Sequence, residues 1–144
     1  MSIANIISNT KTRISAVLGN TYTELAYSNN VSKNSFKGNF KRYGLLAGEV
    51  NEISGTNRYS TMEQSFEIIL TDSYINTAMS DAMEVSKGPV LQELAYSVYR
   101  DLIKTRCGNS SVVIVKEFQC SKPETLDEAV IIRATFKVVY RSII

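Results

Sequence analysis

The strongest pattern in the chain is an alternation over residues 130–141. Val130, Ile132, Ala134, Phe136, Val138 and Tyr140 point one way, and Ile131, Arg133, Thr135, Lys137, Val139 and Arg141 the other. Period two over that length predicts a long antiparallel strand with one face on a core. Residues 66–71 repeat the period, with Phe66, Ile68 and Leu70 together, inside an extended segment spanning residues 58–75. Residues 43–54, with Leu45, Leu46, Val50 and Ile53 as apolar points, predict another strand. Gly55-Thr56-Asn57 reads as the turn of an antiparallel hairpin joining the two. Residues 111–118, centred on Val112, Val113, Ile114 and Val115, predict a further strand, and residues 21–27 a short one.

Two segments carry the other period. Ile3, Ile6, Ile7, Thr10, Ile14, Val17 and Leu18 recur every three or four residues, which predicts an amphipathic helix over 3–18. Ser2 is a candidate N-cap, and Gly19-Asn20 a stop that tolerates left-handed backbone. Leu91, Leu94, Ala95, Val98 and Leu102 define a second helix over 89–106, with Pro89 in its first turn and Gly108-Asn109 after its end. A shorter helical piece is expected over 76–85. Residues 29–42 read as a long loop rich in Asn, Ser, Lys and Gly, and residues 121–128 as a polar, proline-bearing connection. The order helix, strands, helix, strands predicts an α+β fold, a mainly antiparallel sheet with two principal helices packed on one face.

The 144 residues suit one domain, 1–144, with one core. No apolar run approaches the length of a bilayer span, because Arg133, Lys137 and Arg141 interrupt the best candidate. The N-terminal helix lacks the continuous apolar stretch of a signal peptide. A soluble protein of a cytoplasm, with no membrane partner, is the expectation. Cys107 and Cys120 flank a strand, so free thiols are expected.

Charge is uneven. Residues 1–48 carry Lys11, Arg13, Lys33, Lys37, Lys41 and Arg42 against the single acid Glu24, whereas the remainder is mildly acidic. Lys33, Lys37, Lys41 and Arg42, interleaved with Phe36, Phe40 and Tyr43, fit three readings: a solvated loop, a contact with an acidic protein, or a contact with nucleic-acid phosphates. The outer row of the last strand is a second candidate. Ile131 and Val139 among Arg133, Lys137 and Arg141 fit a face partly covered by a neighbouring subunit, or equally by the N-terminal helix of the same chain.

Catalytic signatures are missing. There is no histidine, which excludes a Ser–His–Asp arrangement and removes the commonest general base. Two cysteines cannot build a four-ligand zinc site, and neither a phosphate-binding loop nor a dinucleotide fingerprint is present. Glu63, Glu67, Asp72, Asp81 and Glu84 have no acid/base spacing, and Glu67 should face solvent or a partner. The expectation is no enzyme, no cofactor and no metal.

The segments Phe66-Glu67-Ile68-Ile69-Leu70, Leu91-Gln92-Glu93-Leu94-Ala95-Tyr96-Ser97-Val98-Tyr99 and Phe136-Lys137-Val138-Val139-Tyr140-Arg141 occur in an element order that resembles the tail-terminator (tail-completion) proteins of tailed bacteriophages. The resemblance implies a virion protein of the tail or neck, present in the host cytoplasm during assembly. It implies a homo-hexameric ring that caps the tail tube, ends its polymerisation and offers a surface to the head-side connector or neck protein. The tail sheath is a further implied partner, and DNA in the lumen a non-specific one. Lys33, Lys37, Phe40, Lys41 and Arg42 would then meet the tube or lumen, and Ile131, Arg133, Lys137, Val139 and Arg141 a neighbouring subunit. Another phage neck, tail or baseplate assembly protein, or a small nucleic-acid-binding module using residues 33–42, remains the alternative.

Overall fold

In a computed structural model, which describes residues 3–25, 40–73, 87–126 and 129–143, the alternating strand lies at the centre. Strand β6 (Ala129–Ile143) pairs antiparallel along its whole length with β3 (Tyr59–Ser73). Beyond β3 lies β2 (Arg42–Gly55), joined to it by the expected hairpin, and beyond β6 lies β4 (Val112–Cys120). With a two-residue β1 (Thr23–Glu24) at one edge, the spatial order is β1-β2-β3-β6-β4. β1 pairs parallel with the start of β2, and the other described pairs are antiparallel, as expected of a mainly antiparallel sheet. A short β5 (Glu124–Leu126) pairs with β6 inside what reads in sequence as a plain connection. Its ladder is a backbone matter, and a three-residue run that opens with the polar Glu124 and Thr125 is too short to carry a period.

Helix α1 (Ile3–Leu18) has the bounds expected, and Gly19 ends it at φ +65° with its N–H donating to Ser15 O. Helix α2 (Lys87–Thr105) begins two residues before the expected start. Both helices lie on the same face of the sheet, where Ile6, Ile14 and Leu18 meet Leu91, Ala95, Val98 and Leu102 over the inner row of β3 and β6. Each of the Ile, Leu and Val side chains among them contributes roughly 1.5–3 kcal/mol by leaving water. Leu94, expected in the α2 stripe, stands at its rim, half-buried. Phe66 and Phe136 are opposed across β3 and β6 and stack at 5.6 Å between ring centroids.

The helices are also tied by charge. Arg13 of α1 donates from Nε and Nη2 to the two oxygens of Asp101 on α2, at 3.2 and 2.9 Å. This hydrogen-bonded pairing holds the Arg13 pKa above its usual value. After α2 the chain makes a left-handed turn, with φ +52° at Arg106, +54° at Cys107 and +68° at Gly108. The turn inserts Cys107 fully into the core, and burial pushes its thiol pKa up to about 11. A side chain at Gly108 would meet Arg13 Cγ at 3.3 Å. Asn109 Nδ2 donates to Asn9 Oδ1, which fixes the turn against α1. Cys107 and Cys120 are both free.

Residues 29–39 of the expected long loop, residues 26 and 27 of the expected short strand, and the whole helical piece expected over 76–85 lie outside the described residues, as do Ser2, Asp127 and Glu128. Among the described residues no helix is long and apolar enough to cross a membrane.

Candidate interaction surface

With both described helices on one face, the other face of the sheet carries no helix among the described residues. Along β3 and β6 this outer row pairs Thr71 with Ile131, Ile69 with Arg133, Glu67 with Thr135, Ser65 with Lys137, Glu63 with Val139 and Thr61 with Arg141. The row divides into three zones.

At one end lies a small apolar cluster of Leu25, Ile69, Ala129 and Ile131, with Phe40 packed against it. Ile131 is only 3% exposed there. Its expected cover was a neighbouring subunit or the N-terminal helix. The helix lies on the opposite face, and the chain entering β2 and leaving β1 does the covering instead. At the other end Arg141 stacks on Tyr59, its guanidinium carbon 5.4 Å from the ring centroid.

The middle zone is a lattice of ion pairs. Glu63 sits between Lys116 Nζ at 3.0 Å and Lys137 Nζ at 3.6 Å, and Lys137 also reaches Glu117 at 2.9 Å. Arg133 Nη1 donates to Glu67 at 3.1 Å. The hydrogen bond from Lys116 holds the Glu63 carboxyl below the usual carboxylate range, and the one to Glu117 raises Lys137. Val139, expected at a subunit contact, is 5% exposed amid these charges. Thus Arg133 and Lys137 are engaged within the chain, Ile131 and Val139 are buried within it, and Arg141 is held on Tyr59. The five lie in one row, but they do not form an open patch.

The same face carries an open trough of about 410 Å³. Its floor is Ser65, Glu67, Thr135 and Lys137. One wall is Leu46 and Gly48 on β2, and the other Glu117 and Gln119 on β4. Both walls stand where the edge strands buckle. The register of β2 shifts between Ala47 and Val50, and that of β4 between Lys116 and Gln119. Such extra residues bend a strand and raise its twist. Glu117 adopts φ +61° at the β4 bend, a conformation costly for a side-chain-bearing residue.

The edges themselves are the part that the sequence pattern did not reveal. Beyond its short contact with β1, β2 has no described neighbour on its outer side, and β4 has none at all. Apolar side chains stand out from both: Ile53 is 52% exposed, Val113 50% and Ile114 49%, with Leu46 beside the trough. A signal existed. Val112, Val113, Ile114 and Val115 are apolar at both parities, more than a strand with one core face requires.

Of the basic-loop residues, Lys33 and Lys37 lie outside the described residues. Phe40 belongs to the outer apolar cluster, and its carbonyl accepts from Thr71 Oγ1 at 2.7 Å. Lys41 turns to the helical side, 5.9 Å from the Tyr22 ring, beside a shallow hollow formed by Leu18, Val90 and Leu94. Arg42 opens β2 rather than ending a loop. The three described members are therefore split between two faces.

Among the described residues no three His, Cys, Asp or Glu side chains gather as metal ligands. Asp72 is buried with Lys87 Nζ at 3.6 Å. No protein-family model matches the sequence, and no curated protein matches it.

Proposed function

We propose that the chain is a structural virion protein of the tail-terminator kind. Copies form a ring, six in number, that caps the head-proximal end of a tail tube and presents a surface to the neck. The observation that carries this reading is that, among the described residues, both sheet edges carry exposed apolar side chains with little or no strand beyond them, while both described helices share one face. A domain built this way is suited to side-by-side contact with its own kind, because exposed apolar edges are a liability for a solitary domain. The element order of helix, hairpin, helix and closing strands agrees with the resemblance seen in the sequence. The ion-paired middle of the outer face gives a rigid surface rich in charges, of the sort found at the rim of protein contacts. Ring closure limits growth geometrically: a face that matches the tube on one side without repeating it on the other ends the polymer.

The test is tube length. Tube protein from the phage that encodes this chain is polymerised with and without the purified protein, and lengths are measured by negative-stain microscopy. A cap shortens the tubes in proportion to its concentration and appears as a ring at one end. Unchanged lengths with a folded protein overturn the reading.

A further inference from the structure

We infer that copies of this chain join through their sheet edges, with β4 of one copy pairing antiparallel to the distal half of β2 in the next. The inference deepens the ring reading by naming the contact between copies, and it can fail separately from tube capping.

Strand direction comes first. Successive neighbours in β2, β3, β6 and β4 are antiparallel, so β2 and β4 run in opposite senses at the two edges of one sheet. A copy rotated about an axis roughly along the strands brings its β2 beside β4 of its neighbour in antiparallel register. The contact is head-to-tail, so it repeats and can close into a ring.

Irregularities along the two edges match as well. On β2 the register shifts fall between Ala47 and Val50 and between Glu52 and Ser54; on β4 they fall between Val112 and Ile114 and between Lys116 and Gln119. The antiparallel alignment that sets Ile53 beside Val113 also sets Gly48 and Glu49 beside the second β4 bend at Glu117. Each bend then meets a bend. A regular strand from an unrelated chain meets two bends on either edge, which is how bulged edges resist unwanted pairing. The partner that suits them is a strand bent at the same spacing, and this chain supplies one.

The side chains agree. The alignment brings the exposed Ile53 against the exposed Val113 and Ile114. Charge disfavours pairing β2 with its own kind, because residues 44–55 carry Glu49 and Glu52 with no basic residue. In the mixed alignment one like pair arises, Glu49 beside Glu117, and the Glu117 carboxylate is already held by Lys137 Nζ at 2.9 Å.

Two substitutions at exposed positions test this, Ile53→Asp on β2 and Ile114→Asp on β4, with circular dichroism to establish that each variant folds. Solution mass is measured by light scattering across a concentration series. The wild type is expected to assemble above the 16.0 kDa monomer, and each variant alone to remain monomeric where the wild type is more than half assembled. An equimolar mixture of the two variants is the decisive sample. It holds one intact β4 edge and one intact β2 edge, so it should form dimers and nothing larger. A wild type that is monomeric at every concentration overturns the inference, as does either variant assembling like the wild type, or a mixture that stays monomeric. Wild-type assembly by this route with no effect on tube length would sink the capping function and leave the contact standing.

Discussion

The central strands and the edge strands of this sheet follow different rules. Between β3 and β6 all fifteen residues of each strand pair in unbroken register, from Tyr59 with Ile143 to Ser73 with Ala129. One side of that ladder is a fully buried row of Phe66, Ile68 and Leu70 against Ile132, Ala134 and Phe136. On β2 and β4 the register breaks twice in each strand, and apolar side chains face outward. A one-residue slip in the centre would turn a whole apolar row into solvent, so register there is held tightly. At an edge, with a neighbour on one side only, an extra residue costs little and re-aims the side chains beyond it. The centre therefore encodes stability, while the edges are free to encode contact.

The largest expected effect separates the two regions directly. Phe136→Ala removes a buried ring stacked on Phe66 and should cost about 3–5 kcal/mol of unfolding free energy. Ile114→Ala, at an exposed edge position, should cost less than about 1 kcal/mol. Urea unfolding of both variants measures the gap. Similar losses would mean that the β4 edge belongs to the core after all.

How much of this was legible in the sequence obeys the same division. The β6 alternation, the Phe66-Ile68-Leu70 row, the hairpin at Gly55-Thr56-Asn57 and both helical stripes were visible, because each is a periodic burial imposed on consecutive residues. The outer row was legible only as a row. Period two assigns Ile131 and Val139 to the second face, but it carries no information on Leu25 and Phe40 closing over one, or on Glu63, Lys116 and Lys137 crowding the other. Those covers come from residues far away in sequence. Strand β5 and the left-handed turn were invisible for another reason. The first is three residues held by a backbone ladder, too short to show a period, and the second places Arg106 and Cys107 where a left-handed backbone ordinarily calls for glycine or asparagine.

That turn offers the next test, since it delivers the chain from α2 into the β4 edge. Arg106 is exposed and sits at φ +52°. Arg106→Gly relieves the left-handed strain and should stabilise the protein by up to about 1 kcal/mol, part of the gain being lost to the freer unfolded chain. A destabilised Arg106→Gly variant, seen as a lower thermal midpoint, would mean that the arginine side chain holds the turn by contacts of its own.

The centre has one imperfection, and it sharpens the contrast. Tyr140 Oη and Gln64 Oε1 are buried without a hydrogen-bond partner among the described residues, on the adjacent strands β6 and β3. Burial raises the Tyr140 pKa accordingly. Tyr140→Phe deletes an unsatisfied hydroxyl while keeping the ring, so stability should stay level or rise by as much as about 1 kcal/mol. A clear loss would reveal an ordered water serving that hydroxyl, and high-resolution diffraction would then find it.

The smallest effect belongs to the ion-paired zone between centre and edge. Glu63 is held below the ordinary carboxylate range by its hydrogen bond from Lys116 and by the nearby Lys137. For a carboxylate with a depressed folded-state pKa, the native chain binds fewer protons than the unfolded chain through that window. Its contribution is complete above the unfolded value, near 4.3, and fades as pH falls through the folded one. Glu63→Gln forfeits that contribution at neutral pH. The variant should therefore melt slightly below the wild type at pH 7, and the two midpoints should converge as the pH drops below about 4. Added salt should narrow the neutral-pH gap as well, because the lattice is only part-buried. A gap that persists unchanged into acid would assign the loss at Glu63 to shape rather than charge. The middle zone would then stand with the packed centre of the sheet, and the trough floor would be rigid by packing alone.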